Sequence, residues 1–161
     1  MDIVDLPERI TGPSAWYGPD LAASGAWLVT LDSAQSAEVE GQAQAYLAKG
    51  GDIAQMTKAD FALPKSVPLI REAVDECLHR RGFVVLRGLP PHAENIPMAA
   101  AMFYGIGTHM GNARSQNGKG HLLGHVCDLG LSTTDANVRI YQTTERQNYH
   151  TDSCDIVGLM C

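Results

Sequence analysis

Hydrophobic positions in the first half of the chain predict two β-strands. Residues 26–31 form a short run of apolar and β-branched side chains that contains one polar residue, Thr30, and this pattern predicts a short strand. Residues 83–87 form a continuous run of β-branched, aromatic and aliphatic residues between Gly82 and Gly88. A continuous run of this kind predicts a strand that is covered on both faces.

Three segments of the first half carry apolar residues at helical spacing. Each has a start or stop signal: Asp32 or Ser33 can cap the first helix, and Gly50–Gly51 can end it. The second predicted helix ends at a pair of arginines and a glycine, and the third contains methionine and phenylalanine at helical spacing. The first predicted helix lies between Asp32 or Ser33 and Gly50–Gly51. The second covers residues 67–80 and the third residues 94–110.

The second half of the chain has shorter apolar runs. They predict strands over residues 122–126, 138–143 and 155–160, preceded by a flexible polar loop at residues 111–120. No repeat or linker divides the chain, so we predict a single domain, 1–161, in which residues 1–31 form an N-terminal arm.

Composition and charge exclude several classes of function. A chain of 161 residues is long enough to bury a core, and its formal net charge of -6 disfavours binding to nucleic-acid phosphates. The first ten residues are acidic where a secretory signal would be basic, and no following stretch is apolar enough to span a membrane. Four cysteines without Cys-x-x-Cys spacing suggest buried thiols in a reducing compartment. We therefore expect a cytoplasmic protein without a nucleic-acid or membrane partner.

The candidate chemistry lies near residue 150. His150 and Asp152 are two residues apart, so on an extended strand both side chains point to the same face and can bind one metal ion. Non-haem Fe(II) oxygenases use two histidines and one carboxylate and leave the remaining coordination positions open. The alternative is a surface turn in which Asp152 caps its own backbone.

A second histidine pair offers a different metal site. His121 and His125 have a spacing that puts two imidazoles on one face of a helix, and with His150 they could form a zinc-binding module. However, Gly120 and Gly124 disfavour a helix there, and the motif contains no acidic residue that could act as a base. A structural role of this pair in a loop is the other interpretation.

Three segments resemble the taurine dioxygenase/TfdA-like family of 2-oxoglutarate-dependent oxygenases. They are RGFVVLRG at residues 81–88, LLGHVCD at 122–128 and YHTDSCD at 149–155, and the last of these is the most specific. The resemblance runs from about Trp16 to the last residue. It implies an α+β fold with a double-stranded β-helix core of the jelly-roll or cupin type and flanking helices.

The resemblance also implies cofactors and roles. Fe(II) would be the metal and 2-oxoglutarate the co-substrate, and the enzyme would hydroxylate a small organic substrate with release of succinate and CO₂. His150 and Asp152 match the first two iron ligands of the family and are thus the predicted metal and catalytic residues. Asn148 and Tyr149, just before the first ligand, are the candidate substrate contacts.

The family's third iron ligand, a histidine, and its 2-oxoglutarate-binding arginine have no counterpart in residues 1–161. We therefore expect a fold that is truncated before the barrel is complete, and a chain that is inactive by itself. A non-catalytic remnant that pairs with a partner through an open sheet edge is the alternative function. The sequence predicts neither the identity of the substrate nor the oligomeric state.

Overall fold

The computed structural model describes residues 8–161, so residues 1–7 of the predicted arm lie outside the described part. One compact unit takes in the described residues up to Asn112 together with Met160–Cys161, and the other is Ala113–Leu159. The first unit is α+β and contains α1 (Gly18–Ser24), β1 (Leu28–Thr30), α2 (Ser33–Ala48), a 3₁₀ turn (Ile53–Gln55), α3 (Val67–His79), β2 (Val85–Arg87) and α4 (Ile96–Met110).

The two strands form a parallel pair. Leu28 lies opposite Val85 and Thr30 opposite Arg87, and the backbone N–H of Leu31 donates to the carbonyl of Arg87 at 2.8 Å. Both predicted strands are thus confirmed, although each is only three residues long. The prediction that the second strand is covered on both faces is wrong, because the side chain of Val85 is 40% exposed.

The caps that were predicted for α2 are present. The Asp32 side chain accepts a hydrogen bond from the backbone N–H of Gln35, whose side chain accepts one from the N–H of Asp32. This reciprocal capping box satisfies two of the N–H groups that a helix start leaves without partners. At the other end, Gly50 has a φ of 70°, a conformation that glycine adopts without steric cost. The helix therefore starts and stops where local sequence chemistry requires.

The core of the first unit lies where α2 and α3 pack against α4. Its fully buried members come from these helices and from the segment between α2 and α3, and include Val39, Phe61, Leu63, Ile70 and Met102. The Glu38 carboxylate of α2 ties α3 to this core, since it accepts hydrogen bonds from the backbone N–H groups of Lys65 and Ser66 at 2.9 Å. A negative charge at the first turn of α3 also complements the helix dipole.

The second unit lacks the strands that its apolar runs predicted. Within Ala113–Leu159 the one regular element is a 3₁₀ turn at Ile140–Gln142, and residues 122–126 and 155–160 contain no strand. A strand needs hydrogen bonds to a neighbouring strand, and within the described residues these segments have no such neighbour.

No helix in residues 8–161 is long and apolar enough to cross a membrane.

The cysteines differ in exposure, contrary to the expectation of buried thiols. Cys127, Cys154 and Cys161 are exposed, whereas Cys77 on α3 is partly buried. Burial and the nearby Glu76 carboxylate raise the pKa of the Cys77 thiol, because both disfavour the thiolate. Alkylation requires the thiolate. We therefore expect iodoacetamide at pH 8 to modify the three exposed cysteines first and Cys77 last, as followed by peptide mass spectrometry. Equal rates at all four positions would contradict the burial of Cys77.

Candidate metal centre

The two predicted metal ligands lie close together in the second unit. His150 Nε2 is 3.8 Å from Asp152 Oδ1, and about half of each side chain is exposed to solvent. The strand that was expected to align them is absent, since residues 146–152 have no regular secondary structure. The two donor atoms lie near one another without a strand, and their role as metal ligands stays a prediction.

The contacts of His150 bear on which ring nitrogen could bind a metal. Nδ1 is 2.8 Å from the backbone carbonyl oxygen of Asn148. A carbonyl oxygen can only accept, so the proton is assigned to Nδ1, and Nε2 then carries a lone pair. Metal-binding histidines commonly have their second nitrogen bonded to a carbonyl or carboxylate in this way. In a neutral ring with its proton on Nδ1, the nitrogen that would bind a metal is Nε2, which is also the one nearest Asp152.

Gln147 is a neighbour of His150 that the sequence analysis did not single out. Its side-chain nitrogen is 3.1 Å from Nε2 and 3.5 Å from Nδ1 of the ring. The sequence signal was slight, because a glutamine three residues before a histidine is common in any polar segment.

The two candidate substrate contacts have different environments. Tyr149 is fully exposed, and Asn148 contributes its backbone carbonyl to His150. Neither residue lines the open cavity of about 240 Å³ found in the first unit between α2 and the segment that follows it. Its lining includes Gln42, Tyr46, Lys49 and Asp60, which carry none of the predicted site chemistry.

Tyr46 and Asp60 in this cavity have shifted pKa values. Partial burial, followed by the charges of Asp60 and Asp52, raises the pKa of Tyr46. The Thr57 hydroxyl and backbone N–H donate to the Asp60 carboxylate and lower its pKa. Because Thr57 lies close in sequence, its bonds to Asp60 are those of a local turn. These shifts therefore indicate loop structure and do not by themselves indicate catalysis.

The donor set at residues 150–152 fits part of an iron site. An imidazole nitrogen and a carboxylate oxygen are two of the three ligands in a facial triad. Across residues 8–161, however, no group of three or more His, Cys, Asp or Glu side chains is placed to hold a metal ion. His150 and Asp152 therefore form a pair that needs a further ligand.

The lack of a group of three ligands in the described residues also concerns the zinc-binding alternative. The structure does not bring His121, His125 and His150 together as one ligand group. His121 is instead part of a local turn, in which the Asn117 side-chain nitrogen lies 3.0 Å from its Nδ1 and Asn117 Oδ1 accepts from its backbone N–H. The loop interpretation of the His121–His125 pair fits this arrangement.

Comparisons with known proteins agree with the resemblance seen in the sequence. The model of the family described as taurine catabolism dioxygenase TauD, TfdA family matches residues 47–161. FR-33289 synthase from Streptomyces rubellomurinus is 27% identical over 97% of this chain, which covers 46% of that protein. Taurine hydroxylase-like protein SAT17 from Stachybotrys chartarum is 27% identical over 98% of this chain, which covers 43% of that protein. The chain thus spans less than half the length of the curated relatives it matches.

Proposed function

The chain belongs to the TauD/TfdA dioxygenase family, and we propose that it supplies two iron ligands to an Fe(II)- and 2-oxoglutarate-dependent dioxygenase. The family consists of oxygenases, and the names of both relatives describe enzymes of biosynthesis or hydroxylation. The proposed reaction is the hydroxylation of a small organic molecule. It would be coupled to conversion of 2-oxoglutarate to succinate and CO₂.

One observation carries the proposal at the level of residues. His150 Nε2 lies 3.8 Å from Oδ1 of the Asp152 carboxylate, within the YHTDSCD segment that the family model includes. Neutral imidazole and ionised carboxylate are the protonation states that a divalent metal requires. The donor types and the spacing of the pair therefore support the proposal.

The residues of this chain would have separate tasks at such a site. His150 and Asp152 would hold the ion, and the Asp152 charge would offset part of its positive charge. When bound, Fe(II) together with 2-oxoglutarate and dioxygen would supply the oxidising power for hydroxylation. Tyr149 is fully exposed next to the ligands, so its ring and hydroxyl are available to a substrate, together with the Asn148 side chain.

The rest of the site is proposed to come from sequence that the longer relatives contain and residues 1–161 do not. This applies to the third iron ligand and to the arginine for 2-oxoglutarate. It also applies to the remaining strands of a double-stranded β-helix, beside which the helices of the first unit would pack. With two donors and no third ligand in the described residues, the 161-residue chain alone should bind metal weakly and should not turn over 2-oxoglutarate.

The proposal is tested with the protein as its own cells produce it, once its intact mass is known. Succinate is measured after addition of 2-oxoglutarate and a panel of small carboxylates and sulfonates, with either Fe(II) or Zn(II). We expect succinate formation and oxygen uptake with Fe(II) and neither with Zn(II), because zinc has no accessible redox chemistry. Turnover that is equal with both metals, or absent with Fe(II) in a protein longer than 161 residues, would contradict the proposal.

A further inference from the structure

The cavity beside α2 carries two opposite charges on its wall. It lies between α2 and the segment that follows this helix, and its volume is about 240 Å³. Lys49 contributes an ammonium group and Asp60 a carboxylate, while Gln42 adds an amide. Within the described residues, neither charged group forms an ion pair with the other or with a further side chain. Both charges are therefore available to a ligand.

Two walls of the cavity are held in place by neighbouring groups. The Tyr46 hydroxyl donates to the backbone carbonyl of Asp52 at 2.7 Å, and the Tyr46 ring packs on Gly51, where a Cβ atom would overlap with it. Oδ2 of Asp60 accepts hydrogen bonds from the backbone N–H and the hydroxyl of Thr57, at 2.9 and 2.6 Å. A ligand would thus meet a ring and a carboxylate that are already ordered, which lowers the entropy cost of binding.

The remaining polar atoms of the cavity define the chemistry of a ligand. Among the described residues, Oδ1 of Asp60, the Lys49 amine and the Gln42 amide have no hydrogen-bond partner, since the bonds from Thr57 both go to Oδ2. These bonds and, to a smaller extent, the Lys49 charge lower the pKa of Asp60, so its carboxylate is ionised at neutral pH. An ionised carboxylate beside an aromatic ring attracts an ammonium group, and a lysine amine attracts a carboxylate.

We propose that this cavity binds a small zwitterion of the amino-acid type, a molecule with one ammonium and one carboxylate group. The ammonium group lies at Asp60 Oδ1 and the Tyr46 ring, and the carboxylate at Lys49 and the Gln42 amide. Sites for drug-sized ligands measure roughly 300–1,000 Å³, so a cavity of about 240 Å³ suits a smaller molecule. A ligand with a single charge leaves one charged group of the wall without a partner. The proposal goes beyond the dioxygenase reaction and does not depend on a metal ion.

The test titrates the native protein with glycine, 4-aminobutyrate and 6-aminohexanoate, which differ in the distance between their two charges. Butyrate and butylammonium serve as comparisons that carry one charge each. Binding is followed through the amide NMR signals of residues 42–60. We expect one or more of the zwitterions to bind about tenfold more tightly than either comparison, because only a zwitterion provides a partner for both charged groups of the wall.

Three substitutions locate the site. Lys49→Gln and Asp60→Asn each remove one charge from the wall, and each should weaken binding of the zwitterion about tenfold. Lys58→Gln removes a charge from an exposed residue that does not line the cavity, so binding should stay as in the native protein.

The Lys49 side chain is exposed and has no described partner, so Lys49→Gln keeps the test decisive even if Asp60→Asn disturbs the turn with Thr57. Three results would overturn the proposal. They are an absence of binding by all three zwitterions, equal binding of a zwitterion and a singly charged comparison, and an equal loss of affinity in Lys49→Gln and Lys58→Gln.

Discussion

Replacing either His150 or Asp152 with Ala is expected to lower Fe(II)-dependent 2-oxoglutarate turnover of the native protein by more than about 100-fold. Losing an outer residue that only orients a metal ligand typically reduces affinity or activity by about 10–100-fold, and losing a ligand itself should cost more. Their donor atoms lie 3.8 Å apart, so either substitution leaves only one of the two proposed ligands. Succinate formation at saturating 2-oxoglutarate is the measurement.

The matched controls are His121→Ala and His125→Ala. Both residues lie in the same unit as the pair but are not gathered with it into one ligand group. We expect these variants to keep turnover within a few-fold of the native protein, and all four variants should retain their far-ultraviolet circular dichroism. If His121→Ala lost activity while His150→Ala retained it, the metal would have been assigned to the wrong histidines.

Replacing Gly105 with Ala is expected to destabilise the protein by about 1–3 kcal/mol, although alanine is the better helix former. A Cβ atom at residue 105 would overlap with Cε1 of the Phe61 ring. Phe61 is fully buried, and His109 Nε2–H donates to its backbone carbonyl at 2.6 Å, so the ring has little room to move away. Urea unfolding followed by circular dichroism would measure the change in the free energy of unfolding.

Gly107 provides the control on the same helix. A Cβ atom there meets nothing within 4 Å, and the residue lies inside α4. Gly107→Ala should therefore stabilise the protein by up to about 1 kcal/mol through helix propensity alone. Equal effects of the two substitutions would show that the contact between α4 and Phe61 is not close-packed.

The elements of the first unit were largely predictable because their signals are local. The Asp32 cap, the Gly50 stop and the apolar run before Gly88 each act through neighbouring residues, and the structure contains α2 and β2 where these signals occur. The role of Gly105 was not predictable from the sequence. In α4, which ends at Met110 as predicted, this glycine lets the helix approach Phe61. Such a contact depends on a residue 44 positions away in the chain.

In the second unit, the apolar runs predicted strands that the structure does not contain. An apolar run indicates which side chains prefer burial, but a strand also requires a partner strand, and residues 122–126 and 155–160 have none among the described residues. The spacing of His150 and Asp152 predicts that their donor atoms lie close together, and the two atoms are 3.8 Å apart, while their role as metal ligands stays a prediction. The contact of Gln147 with the ring depends on a side-chain conformation that no spacing rule specifies.

The most direct test of the account is a crystal structure of the native protein grown without oxygen in the presence of Fe(II). We predict that His150 Nε2 and one carboxylate oxygen of Asp152 both coordinate the ion at about 2.0–2.2 Å, with a third protein ligand from outside residues 1–161. A metal bound at His121 and His125, or an ion without contact to His150, would contradict the account.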